Sequence, residues 1–164
     1  MRRIWRTAIL AIPLLLTVPA WADGGPTGTA DKPPIATLEP LTDVKVEITS
    51  LARLPNHPEV VELRFDVVNQ SQDAVSLREL GVAGLNNYVA EPLLFDLADG
   101  KIYRVGGDGD RWSFSTALVE GGTSLRPGMR RGFWAWYKPP VDATKIGIFM
   151  PGIPPVLDVP IAAR

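Results

Sequence analysis

The sequence predicts an all-β domain built from short antiparallel strands, a sandwich or a barrel. Three observations carry this. Apolar residues recur at every second position in several separate stretches. Sixteen prolines and 15 glycines cut the 164-residue chain into short pieces. No stretch shows a sustained helical period with caps, and strands at roughly ten-residue spacing indicate a sandwich or barrel.

The N-terminus comes first because it sets the context. Arg2, Arg3 and Arg6 precede an apolar run over residues 7–18, and Ala20-Trp21-Ala22 follows it. A basic start, an apolar centre and small residues before a cut site are the parts of a secretory signal peptide, so cleavage is expected after Ala22. The run is about a dozen residues and holds Pro13, short of the roughly 20 that a membrane-spanning helix needs. Arg6 stands where a twin-arginine signal would place an apolar residue, which favours the general secretory route. The expected destination is the periplasm or the extracellular space. Removing 22 of 164 residues leaves 142, one domain's worth, with 14 basic against 18 acidic residues. A net charge of −4 speaks against nucleic acid or an anionic membrane as partner. The chain has no cysteine, so neither a disulfide nor a lipid-bearing thiol contributes, and apolar packing must hold the fold.

Residues 23–40 are rich in Gly, Pro, Thr and Ala and show no apolar period, so a flexible lead segment is expected there, with the domain proper over residues 41–164. Val44, Val46 and Ile48 alternate with Lys45, Glu47 and Thr49, a half-buried strand. Residues 51–58 are expected to connect it to a second strand, in which Val61, Leu63, Phe65 and Val67 face one way and Glu62, Arg64 and Asp66 the other. Asn69-Gln70-Ser71-Gln72-Asp73 reads as a polar turn, and Val75 and Leu77 resume alternation. Residues 88–97 form a further strand, with Pro92 marking an edge or a break. Asp99-Gly100 is a tight turn before Ile102-Tyr103-Arg104-Val105. After the loop Gly106-Gly107-Asp108-Gly109-Asp110, Trp112, Phe114 and Thr116 alternate again. Pro127-Gly128 is a turn, residues 131–137 an aromatic strand, and Ile146, Ile148 and Met150 a strand that Pro151 breaks. Residues 156–161 close the domain. Burial of each large core side chain is worth about 1.5–3 kcal/mol.

The order of these features resembles a group of bacterial extracytoplasmic immunoglobulin-like domains of uncharacterised function, sometimes found in front of OmpA-like domains. The strand ending Val67-Val68-Asn69, the turn Leu97-Ala98-Asp99-Gly100-Lys101-Ile102-Tyr103, and Leu125-Arg126-Pro127-Gly128 carry it. So do Phe133-Trp134-Ala135-Trp136-Tyr137 with Pro139-Pro140, and the stretch from Met150-Pro151-Gly152 to Asp158-Val159-Pro160-Ile161. The resemblance implies an immunoglobulin-like antiparallel β-sandwich. It implies no catalytic residues.

Candidate chemistry is sparse. Asp108 and Asp110 in the glycine-rich loop are the best candidate ligands for calcium, which takes oxygens from flexible loops, although Asp in a turn usually serves turn geometry, the preferred reading. The single histidine, His57, and the absence of an HExxH pattern leave no zinc site. No G-x-S-x-G elbow or phosphate loop occurs. Three methionines and one histidine are too few for a copper carrier. The chain is therefore read as non-enzymatic. Trp112, Trp134, Trp136 and Tyr137 form an aromatic cluster. Alternation puts Trp134 and Trp136 on one face of their strand and Phe133, Ala135 and Tyr137 on the other, and the favoured reading places the tryptophan pair in the core. Outside, the pair would be a contact site. Arg126, Arg130 and Arg131 read mainly as solvated turn charges, with a basic edge for an acidic partner as the sharper alternative. Two expectations follow: an interaction domain that meets another envelope protein through an edge strand or an aromatic face, or a module that binds carbohydrate or cell-wall glycan.

Overall fold

A computed structural model of the chain describes residues 33–82, 92–106, 123–151 and 153–163. The expected signal peptide, most of the lead segment, Trp112, Asp108 and Asp110 lie outside these residues. The described part is all β, with no helix.

Ten strands form three antiparallel sheets: β1 (Ala36–Leu41), β2 (Val44–Leu54), β3 (His57–Asn69), β4 (Val75–Ser76), β5 (Leu93–Asp96), β6 (Lys101–Tyr103), β7 (Ser124–Leu125), β8 (Arg130–Tyr137), β9 (Lys145–Phe149) and β10 (Val156–Pro160). One four-stranded sheet runs β1-β2-β3-β8 and a second runs β10-β9-β5-β6, with β4 and β7 paired beside them. The chain leaves the first sheet after β3, enters the second at β5 and β6, returns at β8 and crosses again to β9.

Period-two alternation decides which side of each strand is buried. Val44, Val46 and Ile48 of β2, and Val61, Leu63, Phe65 and Val67 of β3, are all buried. They join Leu94, Ile146, Ile148 and Val159 of the second sheet in one apolar cluster. Phe65 and Phe133 stack with centroids 5.3 Å apart within it. The C-terminal stretch ties the sheets further: Ala162 pairs in parallel with Ala52, exchanging backbone hydrogen bonds with Leu51 and Arg53 at 3.0 Å each.

Two sequence expectations change. The flexible lead segment was expected to reach residue 40, yet Ala36–Leu41 is β1, paired along β2. Half-buried Ala36 and Leu38 pack against the core, which outweighs the absence of a long apolar period. The connection expected over residues 51–58 contracts to Pro55-Asn56, because a register shift between Arg53 and Leu54 carries the β2–β3 ladder on to Leu54 and His57. Arg53 clamps this end: its guanidinium donates to the carbonyls of Pro58, Pro140 and Ala143 at 2.7–2.8 Å.

The expected turns are present at Asn69, Gly100 and Gly128. Gly100 and Gly128 adopt φ of 63° and 73°, where a side chain is strained. Asn69 is buried with both amide ends used. Its Nδ2 donates to the carbonyls of Asp73 and Leu125, and its Oδ1 accepts from the Ser71 amide and hydroxyl.

Candidate interaction surface

β8 positions the aromatic residues. Its cross-strand partners in β3 are Val61 for Tyr137, Leu63 for Ala135 and Phe65 for Phe133. Those three β3 side chains are buried, so Phe133, Ala135 and Tyr137 are the buried set. Trp134 and Trp136 therefore lie on the outer side of the first sheet, each half-buried. This corrects the expectation that they are core. The pairing with β3 chooses the face, and alternation alone could not.

On this outer face Trp136 sits opposite Glu62 and Trp134 opposite Arg64. The rings are 5.2 Å apart and inclined at 42°, so they share no common plane. The indole N–H of Trp136 donates to Glu62 Oε2 at 3.0 Å, and Arg64 Nε donates to Glu62 Oε1 at 2.7 Å. Glu62 is only 4 % exposed, and these two donors offset its loss of water.

Arg130 lies further along the same face. Its guanidinium donates to Asp66 Oδ2 at 2.6 Å and to Glu47 Oε2 at 2.7 Å. Burial works against its charge, but the hydrogen bonds it donates to Asp66 and Glu47 outweigh this and hold its pKa above the ordinary value. Two acids of its own sheet thus engage Arg130, whose side chain remains half exposed. Arg126 is exposed in the turn before β8, and its carbonyl accepts from Met129 N–H. The structure brings together Trp134, Trp136 and Arg130 on one face and leaves Arg126 off it. Sequence reasoning missed Glu62 and Arg64 as members of this surface. They read as ordinary outward charges, and only strand pairing sets them beside the indoles.

The strand edges are less inviting. β1 carries Pro40 and a register shift between Leu38 and Leu41. β10 ends at Pro160 and bulges where Asp158 takes a φ of 53°. β6 has three residues. Along β8, Gly106 N–H donates to the Trp136 carbonyl at 2.9 Å. Prolines, bulges and short length discourage strand addition.

Chemically, the face offers indole surface framed by charges that already satisfy one another. Among the described residues, no group of three or more His, Cys, Asp or Glu is placed to hold a metal ion. No protein-family model matches the chain, and comparison with curated proteins and with solved structures also yields no match.

Proposed function

We propose that this protein is an exported, non-catalytic interaction domain of immunoglobulin-like β-sandwich form that binds another envelope protein through the outer face of β8. The sheet orders, the repeated crossing between sheets and the single apolar cluster support the sandwich. The N-terminal pattern of Arg2, Arg3 and Arg6, an apolar run and Ala20-Trp21-Ala22 supports export.

One observation carries the functional reading: Trp134 and Trp136 stand on the outer face of their sheet instead of in its core. Tryptophan is enriched at the energetic centres of protein interfaces, where a ring of polar contacts excludes water. Glu62 and Arg64 flank the pair along β3, with Asp66 and Arg130 further along the same face, as a polar border of this kind. A glycan fits this surface less well. Sugar stacking wants flat, accessible rings beside unused donors and acceptors, whereas these rings are inclined at 42° and Glu62 is already engaged by Trp136 and Arg64.

The test is capture from an envelope extract by the immobilised protein and by a Trp134→Ala variant whose circular dichroism is unchanged. A defined partner retained by the first and lost by the second is the expected result. Equal retention by both removes the aromatic face. A saturable change in tryptophan emission on adding cell-wall glycan fragments, absent in Trp134→Ala, would replace this reading with the glycan one.

A further inference from the structure

The second sheet carries a recess of about 210 Å³ on its outer face, partly open to solvent. Phe95 of β5 and Gly147 of β9 line it from within the sheet, Leu97 and Ala98 from the turn after β5, and Lys145 and Asp158 from β9 and β10.

The local sequence makes this hollow. Phe95 and Gly147 are cross-strand partners, and the Phe95 ring lies over the glycine so closely that an added Cβ would overlap it. On the other side of β9, Val156 pairs with Ile148 and Val159 with Ile146, so Leu157 and Asp158 together stand opposite Gly147. Asp158 takes a φ of 53° in this bulge. Bulges re-aim side chains, and Asp158 Oδ1 here meets Lys145 Nζ at 2.6 Å.

The recess thus joins an aromatic ring to one cation and one anion set side by side. An ammonium has three donors and a carboxylate about four acceptor positions, so one shared contact leaves most of both unused. The two side chains are 64 % and 69 % exposed, and neither has another ion-pair partner among the described residues. Asp96 also lines the recess, but its Oδ1 accepts from the Ala98 N–H at 2.8 Å and so serves the turn.

These charges select the ligand. A simple carboxylic acid reaching Lys145 brings its negative charge against Asp158, and a simple amine reaching Asp158 meets Lys145. A zwitterion meets both with opposite charge. In an α-amino acid the nitrogen and the nearer carboxylate oxygen stand about 2.7 Å apart, given bonds of about 1.5 Å. That span matches the Lys145–Asp158 pair. A sugar fits less well, because Leu97, Ala98 and Phe95 offer its encircling hydroxyls no partners. The volume lies below the about 300–1,000 Å³ of sites for drug-sized ligands, which suits a molecule of about a dozen heavy atoms.

We propose that this recess binds a free α-amino acid with an apolar side chain. Its carboxylate sits on Lys145, its ammonium on Asp158 and its side chain against the Phe95 ring and Leu97. A ligand of this size at an open site binds with a dissociation constant of about a millimolar. The site is on the other sheet from the β8 face, so either stands without the other.

Titration of the isotopically labelled full protein with phenylalanine, followed by amide NMR to about 20 mM, tests this. The expected result is saturable shifts at Phe95, Gly147, Lys145 and Asp158. Phenylalanine amide lacks the carboxylate and N-acetylphenylalanine lacks the ammonium, and each should bind at least fivefold more weakly. Lys145→Gln and, independently, Asp158→Asn should weaken phenylalanine binding to the same degree with circular dichroism unchanged. Asparagine accepts the left-handed backbone as aspartate does, and a variant that fails to fold leaves the other to decide. No saturable shift at these residues overturns the proposal. So do equal affinities for phenylalanine and both analogues, undiminished binding in the folded variants, or saturation of the recess by N-acetylglucosamine in place of the amino acid.

Discussion

The indole N–H of Trp136 meets Oε2 of Glu62 across the β3–β8 pair, 3.0 Å away, with the two residues directly opposite. Glu62 is thus a nearly buried carboxylate on the outer side of a sheet, held between an indole and a guanidinium. The surface is pre-organised: the side chains that frame Trp134 and Trp136 are fixed before any partner arrives, which lowers the ordering cost of binding.

Removing that carboxylate should therefore matter twice. Glu62→Ala leaves the indole N–H and Arg64 without their acceptor, and the expected loss of stability is about 1–3 kcal/mol. Glu62→Gln keeps the shape and should lose less. Urea unfolding followed by tryptophan emission measures both, and partner capture should weaken in the same order. Equal stability of all three proteins would show that the triad is incidental.

Asn69 is the second fixed point. Its side chain uses two donors and accepts twice, joining the end of β3 to the turn after it and to β7. Asn69→Ala should cost about 1–3 kcal/mol, since the Leu125 carbonyl loses this buried donor, while the Asp73 carbonyl keeps the Ser71 hydroxyl. Asn69→Asp should be at least as harmful, because a carboxylate would face those two carbonyls. Thermal melting of the three proteins checks the order.

Much of this architecture was legible in the residues. Val44, Val46 and Ile48, then Val61, Leu63, Phe65 and Val67, alternate plainly, and the structure buries them. The turns at Asn69, Gly100 and Gly128 follow from residue types that accept such geometry. What was not legible depends on pairing. In β8, Trp134 and Trp136 alternate with Phe133, Ala135 and Tyr137, both sets are apolar, and only the register against β3 decides which turns inward. The Arg53 clamp joins residues about 90 positions apart, and no local pattern announces it. β1 was hard to tell from a flexible lead because an edge strand needs only one well-packed side, and Leu38 with Ala36 supplies it.

Gly147 owes its place to Phe95. Gly147→Ala would drive a methyl into the ring and should destabilise by about 1–3 kcal/mol. Phe95→Ala should cost stability on its own, by uncovering the glycine backbone. The double variant should be more stable than the two single losses together imply, because the methyl then enters space the ring has left. A double-mutant cycle from urea midpoints measures this coupling, and simple additivity would separate the two residues.

The hydroxyl of Tyr103 is buried and finds no hydrogen-bond partner among the described residues. An unsatisfied buried hydroxyl costs stability that a phenyl ring does not, so Tyr103→Phe should stabilise the protein by about 1 kcal/mol. A lower melting temperature in the variant would mean that the hydroxyl is solvated after all.

Tyr137 gives the opposite case and a pH dependence. Its hydroxyl is buried and donates to the Pro92 carbonyl at 2.8 Å, linking β8 to the start of β5. Burial pushes the phenol pKa far above its ordinary value of 10.0. Above pH 10 the unfolded chain releases this proton and the folded protein keeps it. The native state then binds more protons, so stability is whole below pH 10 and falls as pH rises, by about 1.4 kcal/mol per pH unit. Tyr137→Phe loses the hydrogen bond, about 1 kcal/mol at neutral pH, but is spared this fall. The stability curves of the two proteins should therefore converge above pH 10 and cross near pH 11. Urea midpoints between pH 7 and pH 11 provide the measurement, and curves that stay parallel would mean that the Tyr137 hydroxyl titrates alike in both states.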